Sequence, residues 1–230
     1  MEKNQTKGFR FRAARSKGAA LPLFCFVSLI AALLAFCRIP KQSVLLAGDK
    51  TVYAVQIYES SGYTSAETFA KNVQLRGAAG FIAKSGDRFV VIAACYETAE
   101  EAQTVCDKLT EFSERKTTAI VFPEVRLQCN REDAPVVAEV LSACEAVLPA
   151  VARSVGTYAE EQQTGLQEEI ERLRLACDRL PQQGYEPLAD VAGQLYAVLC
   201  RAEQAPSLSV LRHAYCKCVF LLQEYCSSLV

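Results

Sequence analysis

The sequence predicts an α+β chain in three parts: a transmembrane helix near the N-terminus, a βαββαβ domain with a four-stranded antiparallel sheet, and an all-α helical bundle. Three observations predict this. Gly18 to Cys37 contains no charged side chain. Between Thr51 and Val125, short β-branched and aromatic runs alternate with helical stripes. From Asp133 onward the strand-like runs stop and apolar residues recur at helical spacing.

The first part is read from charge as much as from hydropathy. Lys3, Lys7, Arg10, Arg12, Arg15 and Lys17 face only Glu2 in residues 1–17, while the rest of the chain is net acidic. The formal net charge of −1 leaves no surplus of bases to neutralise phosphates, which argues against nucleic acid as a partner. A run of about 20 apolar residues is what a helix needs to cross the hydrocarbon core, and only a helix pairs its own amides there. A cleaved secretory signal has a shorter apolar core. The end Leu34-Ala35-Phe36-Cys37 faintly resembles a lipoprotein signal, but Phe36 stands where a small residue belongs. Residues 1–17 therefore read as a basic cytoplasmic tail and 18–37 as an uncleaved transmembrane helix. This places the chain in the cytoplasmic membrane as a single-pass protein, with its bulk outside the cytoplasm. Arg38 and Lys41, just past the span, oppose that orientation weakly.

Residues 38–50, with Pro40 and Gly48-Asp49, read as a linker. Val52 to Tyr58 suits a strand, and Glu59 to Thr64 breaks it. Ala66, Phe69, Ala70 and Val73 mark one face of a helix ending near Arg76-Gly77, with Thr64 and Glu67 at capping-box spacing. Ala79 to Lys84 is a second strand, Ser85-Gly86-Asp87 a hairpin turn, and Arg88 to Tyr96 a third strand. Thr98 and Glu101 repeat the capping spacing before a helix striped by Ala99, Ala102, Cys106 and Leu109. Thr118 to Val125 is the last strand, pushed towards a sheet edge by Pro123.

The two halves resemble each other. Tyr53-Ala54-Val55 aligns with Phe89-Val90-Val91, and Tyr63-Thr64-Ser65-Ala66-Glu67 aligns with Tyr96-Glu97-Thr98-Ala99-Glu100. The pattern is a doubled split βαβ unit with both helices on one sheet face. The other face is then left to bind something.

Tyr53-Ala54-Val55-Gln56-Ile57, Ser65-Ala66-Glu67 and the run from Phe89 to Ala102 resemble SPOR domains, small modules of bacterial envelope and sporulation proteins. The resemblance covers about residues 51 to 126, a third of the chain. It implies a SPOR-like domain at 51–127 that recognises peptidoglycan glycan strands lacking stem peptides. Family positions carried onto this sequence give Gln56, Tyr58, Ser60, Val90 and Ile92 as glycan-binding candidates. Tyr58 and Ala94 replace family glycines, and Val90 and Ile92 stand where a base is expected. Strand alternation puts Gln56 on one face with Ala54 and Tyr58, and Val55 and Ile57 on the other. Val90, Ile92, Ala54 and Ala94 should then form an apolar patch. A bare apolar patch tends to be covered, so the C-terminal helices or a second copy of the chain are expected on it. Residues 50–127 hold all the strands and helices of this module and should fold without the bundle.

After a linker at 128–133, residues 133–230 read as a bundle of three to four helices. Val136 to Leu148 carries one stripe, ended or kinked at Pro149. Leu166, Ile170, Leu173, Cys177 and Leu180 line a charged helix that stops before Pro181; two heptads favour bundle core over coiled coil. Pro187 opens the next helix, and Ser207 or Ser209 caps the last, striped by Leu211, Tyr215, Cys218, Val219, Leu222 and Tyr225. Nine of the eleven cysteines lie beyond the apolar span, mostly on apolar stripes as small buried hydrophobes; a Cys144–Cys177 disulfide is an open alternative.

Catalysis finds no support in the residues. The single histidine, His213, sits in an amphipathic helix without a surrounding motif, and no phosphate-binding or dinucleotide fingerprint occurs. Zinc-ligand spacing is absent. The expectation is a non-enzyme with no metal and no cofactor. Two functions remain: a membrane-anchored protein of cell division or sporulation that binds glycan strands, or an envelope scaffold whose SPOR-like domain and bundle meet division or envelope proteins without binding glycan.

Overall fold

The computed structural model describes residues 41–46, 50–161, 165–181 and 183–230. The expected tail and transmembrane helix lie outside the described residues. Lys41–Val230 form one unit.

Strand β1 (Lys41–Leu46) is followed by β2 (Lys50–Ser60), α1 (Tyr63–Gln74), β3 (Phe81–Ser85), β4 (Arg88–Tyr96), α2 (Ala99–Lys108), β5 (Lys116–Phe122) and β6 (Val125–Asn130). Strands β2 to β5 make an antiparallel sheet in the order β3-β4-β2-β5, the doubled split βαβ arrangement that the sequence predicts. Strand β5 lies at its edge and stops just before Pro123, which has no N–H to donate. Gly86 and Asp87 join β3 to β4, with Gly86 at φ 62° supplying the backbone twist of a two-residue hairpin. Thr98 caps α2 as expected: its Oγ1 accepts from the Glu101 amide at 3.2 Å and donates to Glu101 Oε2 at 3.0 Å. Thr64 does not cap α1. That helix starts two residues earlier, at Tyr63 with Gly62 as its cap, because Ser60 Oγ turns the chain by accepting from the Gly62 amide.

Two segments expected as linkers are strands. Lys41–Leu46 pairs antiparallel with Val125–Asn130, so residues 38–50 and 128–133 contain a two-stranded ribbon. The reason is tertiary: Val44, Val125, Leu127 and Cys129 pack into the same core as the helices that come after them.

Those helices are α3 (Ala134–Glu161), α4 (Gln167–Arg179), α5 (Glu186–Gln204) and α6 (Leu208–Ser228). Helix α3 runs on through Pro149 rather than ending there. An internal proline costs about 3 kcal/mol, but Ala150 and Val151 beyond it are buried, and that burial holds the helix together. The segment Ala134–Tyr158 is long and apolar enough to cross a membrane, yet more than half of its most apolar window is buried within the fold. Leu166 and Leu173 are fully buried between helices, so the heptad-like stripe is core. Ser207 caps α6 by accepting from the Val210 amide.

Helix α6 is the centre of the architecture. Leu211, Ala214, Tyr215, Cys216, Cys218, Val219, Leu221, Leu222, Tyr225 and Cys226 are all buried. A helix apolar on nearly every side must be covered on more than one. Helices α3 and α5 pack on it from one direction, and β3, β4 and β5 from the other. The sheet thus lies between two helical layers: α1 and α2 on one face, closing a core of Val55, Ile57, Val73, Val91 and Ala102, and α6 on the other.

Candidate functional site

The face of the sheet turned away from α1 and α2 is where the sequence places a ligand. Val52, Ala54, Val90, Ile92, Cys95, Ile120 and Phe122 line it, and all belong to one continuous core with α3 to α6. Val90 is 6% exposed and Ile92 2%, so the apolar patch is covered by the chain's own C-terminal helix. Phe81 on β3 meets the His213 ring at 5.5 Å and the Phe220 ring at 5.0 Å. Arg212 donates to the Gly77 carbonyl at 2.8 Å, and His213 Nδ1 lies 3.0 Å from the Ala79 carbonyl. At about 1.5–3 kcal/mol for each fully buried aliphatic side chain, this junction is far more than a loose tether.

The candidates do not share one face. Gln56 is 4% exposed and pairs with Ile92 on β4 and Lys116 on β5. Its Nε2 donates to Glu59 Oε2 at 3.1 Å. Glu59 also holds Arg88 at 2.8 Å and Lys116 at 3.4 Å. The bond from Gln56, assisted by the two bases, keeps the Glu59 carboxyl below its ordinary pKa. Gln56 is thus a buried anchor for an ion-pair cluster at the sheet end.

Tyr58 departs from simple alternation. The β2–β4 register shifts between Val55 and Gln56 and again between Gln56 and Tyr58. Each irregularity places an extra residue in one strand and rotates the residues after it. Tyr58 therefore pairs with Val91 and stacks on Phe69 of α1, centroids 4.3 Å apart and planes 12° apart, on the side of α1 and α2. The same irregularity displaces Ala94 from the expected patch: it sits opposite Val55, a residue of the core under α1 and α2, and Cys95 takes its place against α6. Ser60 lies at the end of β2, half-buried, engaged by the Gly62 amide.

Beside Tyr58 lies an open groove of about 350 Å³ lined by Tyr58, Thr64, Ser65, Thr68, Phe69 and Asn72. It joins an aromatic plate to hydroxyls and an amide, the side chains that meet sugar ring faces and hydroxyls. Strand alternation misses this surface because it assigns Tyr58 to the opposite face; the polar residues of α1 away from its apolar stripe are the signal in the sequence that points to it.

Residues 49–122 match the family model of the SPOR domain. No curated protein and no solved structure matches the chain. The match takes in β2 to β5 with α1 and α2, so this third of the chain is a SPOR domain, one whose second sheet face is closed by the chain's own C-terminal helix.

Proposed function

We propose that this chain is a peptidoglycan-associated protein of the bacterial envelope, acting in division or sporulation, that takes glycan strands in the Tyr58 groove rather than on the sheet face. The observation that carries this is the division of the candidates: Gln56 is buried at the sheet end and Val90 and Ile92 lie beneath α6, while Tyr58 remains accessible beside hydroxyls. The SPOR match supports the polymer, and the aromatic and hydroxyl lining supports sugar as the part contacted. The apolar run Gly18 to Cys37 and the basic residues before it support a single-pass anchor with an N-in orientation, holding Lys41–Val230 at the wall. We read the chain as a binding protein rather than an enzyme.

Sedimentation of the full chain with purified sacculi, before and after amidase removal of stem peptides, tests the reading. Retention should rise on denuded glycan and fall several-fold for Tyr58→Ala. No retention of the unmodified chain on either preparation would favour a second reading, an envelope scaffold whose SPOR fold serves protein contact alone. The burial of Val90 and Ile92 against α6 is the specific observation behind that alternative.

A further inference from the structure

Where α1, α5 and α6 converge, a cleft of about 440 Å³ opens, lined by Gln74, Val198, Arg201, Ala202, Ser209, Val210, His213, Ala214 and Lys217. Its lining divides by chemistry. Val198, Ala202, Val210 and Ala214 give small apolar surface, Gln74 and Ser209 give neutral hydrogen-bonding groups, and Arg201 and Lys217 give two cations. No carboxylate lines the cleft, and neither cation makes an ion pair among the described residues.

The polar wall is fixed in place. Gln74 Nε2 donates to the carbonyl of Ala79 at 3.0 Å, and His213 Nδ1 reaches the same oxygen at 3.0 Å. Gly80 lets the chain pass this close: it sits at φ +52°, and a Cβ there would lie 2.5 Å from the Ala70 carbonyl. With its Nδ1 proton on a carbonyl, His213 keeps Nε2 as the second, unprotonated ring nitrogen. Burial lowers the His213 pKa first, and Arg201 and Lys217 lower it further, whereas the Ala79 carbonyl opposes them. The local field is therefore positive, and the imidazole is held neutral.

We infer that this cleft binds a carboxylate on a short aliphatic body, such as the C-terminus of a small peptide, with Arg201 and Lys217 pairing the carboxylate and the Val198, Ala202, Val210 and Ala214 surface taking the methyl groups. Two cations without acids attract an oxyanion, and the small apolar floor selects an aliphatic carrier over a bare ion. The inference is independent of the Tyr58 groove and does not rest on glycan binding.

His213 is the chain's only histidine, so its ring signals in NMR report on this cleft alone. Alanyl-alanine, the same dipeptide with an amidated C-terminus, and inorganic phosphate are titrated into the full chain in detergent micelles. The free dipeptide should shift the His213 signals saturably and raise the apparent pKa of the ring, since an anion offsets Arg201 and Lys217. The amidated dipeptide should bind at least about tenfold more weakly. The paired variant Arg201→Ala with Lys217→Ala should lose the response while the remainder of the spectrum stays folded; should it unfold, Arg201→Gln alone, weakening the free dipeptide but not the amidated one, carries the same test. Equal binding of both dipeptides, a response to phosphate alone, or no saturable response would each overturn the inference.

Discussion

Nδ1 of His213 and Nε2 of Gln74 converge on one carbonyl oxygen, that of Ala79, each at 3.0 Å. Through that atom the last helix is fastened to the turn that leads into β3. The SPOR domain and the C-terminal helices are consequently joined by directed bonds as well as by apolar burial, and the sheet face between them is interior.

Charge should not be tolerated in that interior. Replacing Val90 and Ile92 together with Arg would place two charges in the apolar core that β4 shares with α6. An unpaired buried charge costs several kcal/mol, so this double variant should lose most of its stability, at least about 3 kcal/mol. Denaturant titration and faster hydrogen exchange in α6 would report it. Unchanged exchange in α6 would mean that the helix does not rest on the sheet.

Residues 50–127 on their own should not fold as a stable unit, contrary to the expectation from their self-contained element order. Val52, Ala54, Phe81, Val90, Ile92, Ile120 and Phe122 would all face water. The fragment should melt without cooperativity, or self-associate, while Lys41–Val230 melts in one transition. Calorimetry on both distinguishes the outcomes.

Acid should destabilise the fold in two stages, first at the His213 junction and then at the Glu59 cluster. The folded His213 pKa lies below its ordinary 6.5. Its contribution to stability is therefore present above pH 6.5 and is lost as pH falls through the lowered folded value, where the imidazole must charge beside Arg201 and Lys217. Glu59, held below its ordinary 4.5, gives up its contribution in a more acidic window. Chemical denaturation across this range should show stability falling below pH 6.5, and His213→Gln should flatten the first stage.

Thiol chemistry offers a further check. Cys216 faces Cys95 across the sheet–helix junction, and burial raises its pKa well above the ordinary range. Cys144 and Cys218 are raised by burial too, and no disulfide joins the nine described cysteines. Thiolate is the reactive form, so maleimide should label these residues slowly in the native chain and rapidly in denaturant. Rapid native labelling of Cys216 would contradict a closed junction.

Much of this fold is legible in the residues. Short β-branched runs and a capping signal at Thr98 locate β2 to β5 and both helices of the SPOR domain, because local propensity and burial agree there. The apolar character of Val90 and Ile92 signals a covered face without naming its cover. The bulges around Gln56 are not legible: a shift of one residue leaves no mark in composition, yet it moves Tyr58 and Ala94 to the opposite face. Strands β1 and β6 read as linkers because each is stabilised by its distant partner and by the helices that come after them. Proline at 149 reads locally as a helix end or kink, and packing on both sides of it overrides the end. The apolar residues of α6 outside its main stripe, Ala214, Cys216, Leu221 and Cys226, are the sign in the sequence that this helix has two covered sides.

The most direct test of the closed sheet face is a nuclear Overhauser measurement from the single histidine ring. His213 and Phe81 rings lie 5.5 Å apart between centroids, so cross-peaks from the His213 ring protons to those of Phe81 are predicted, together with a ring that titrates below pH 6.5. A His213 ring with no contact to Phe81 and an ordinary titration would show instead that α6 stands away from the sheet and that the face is open.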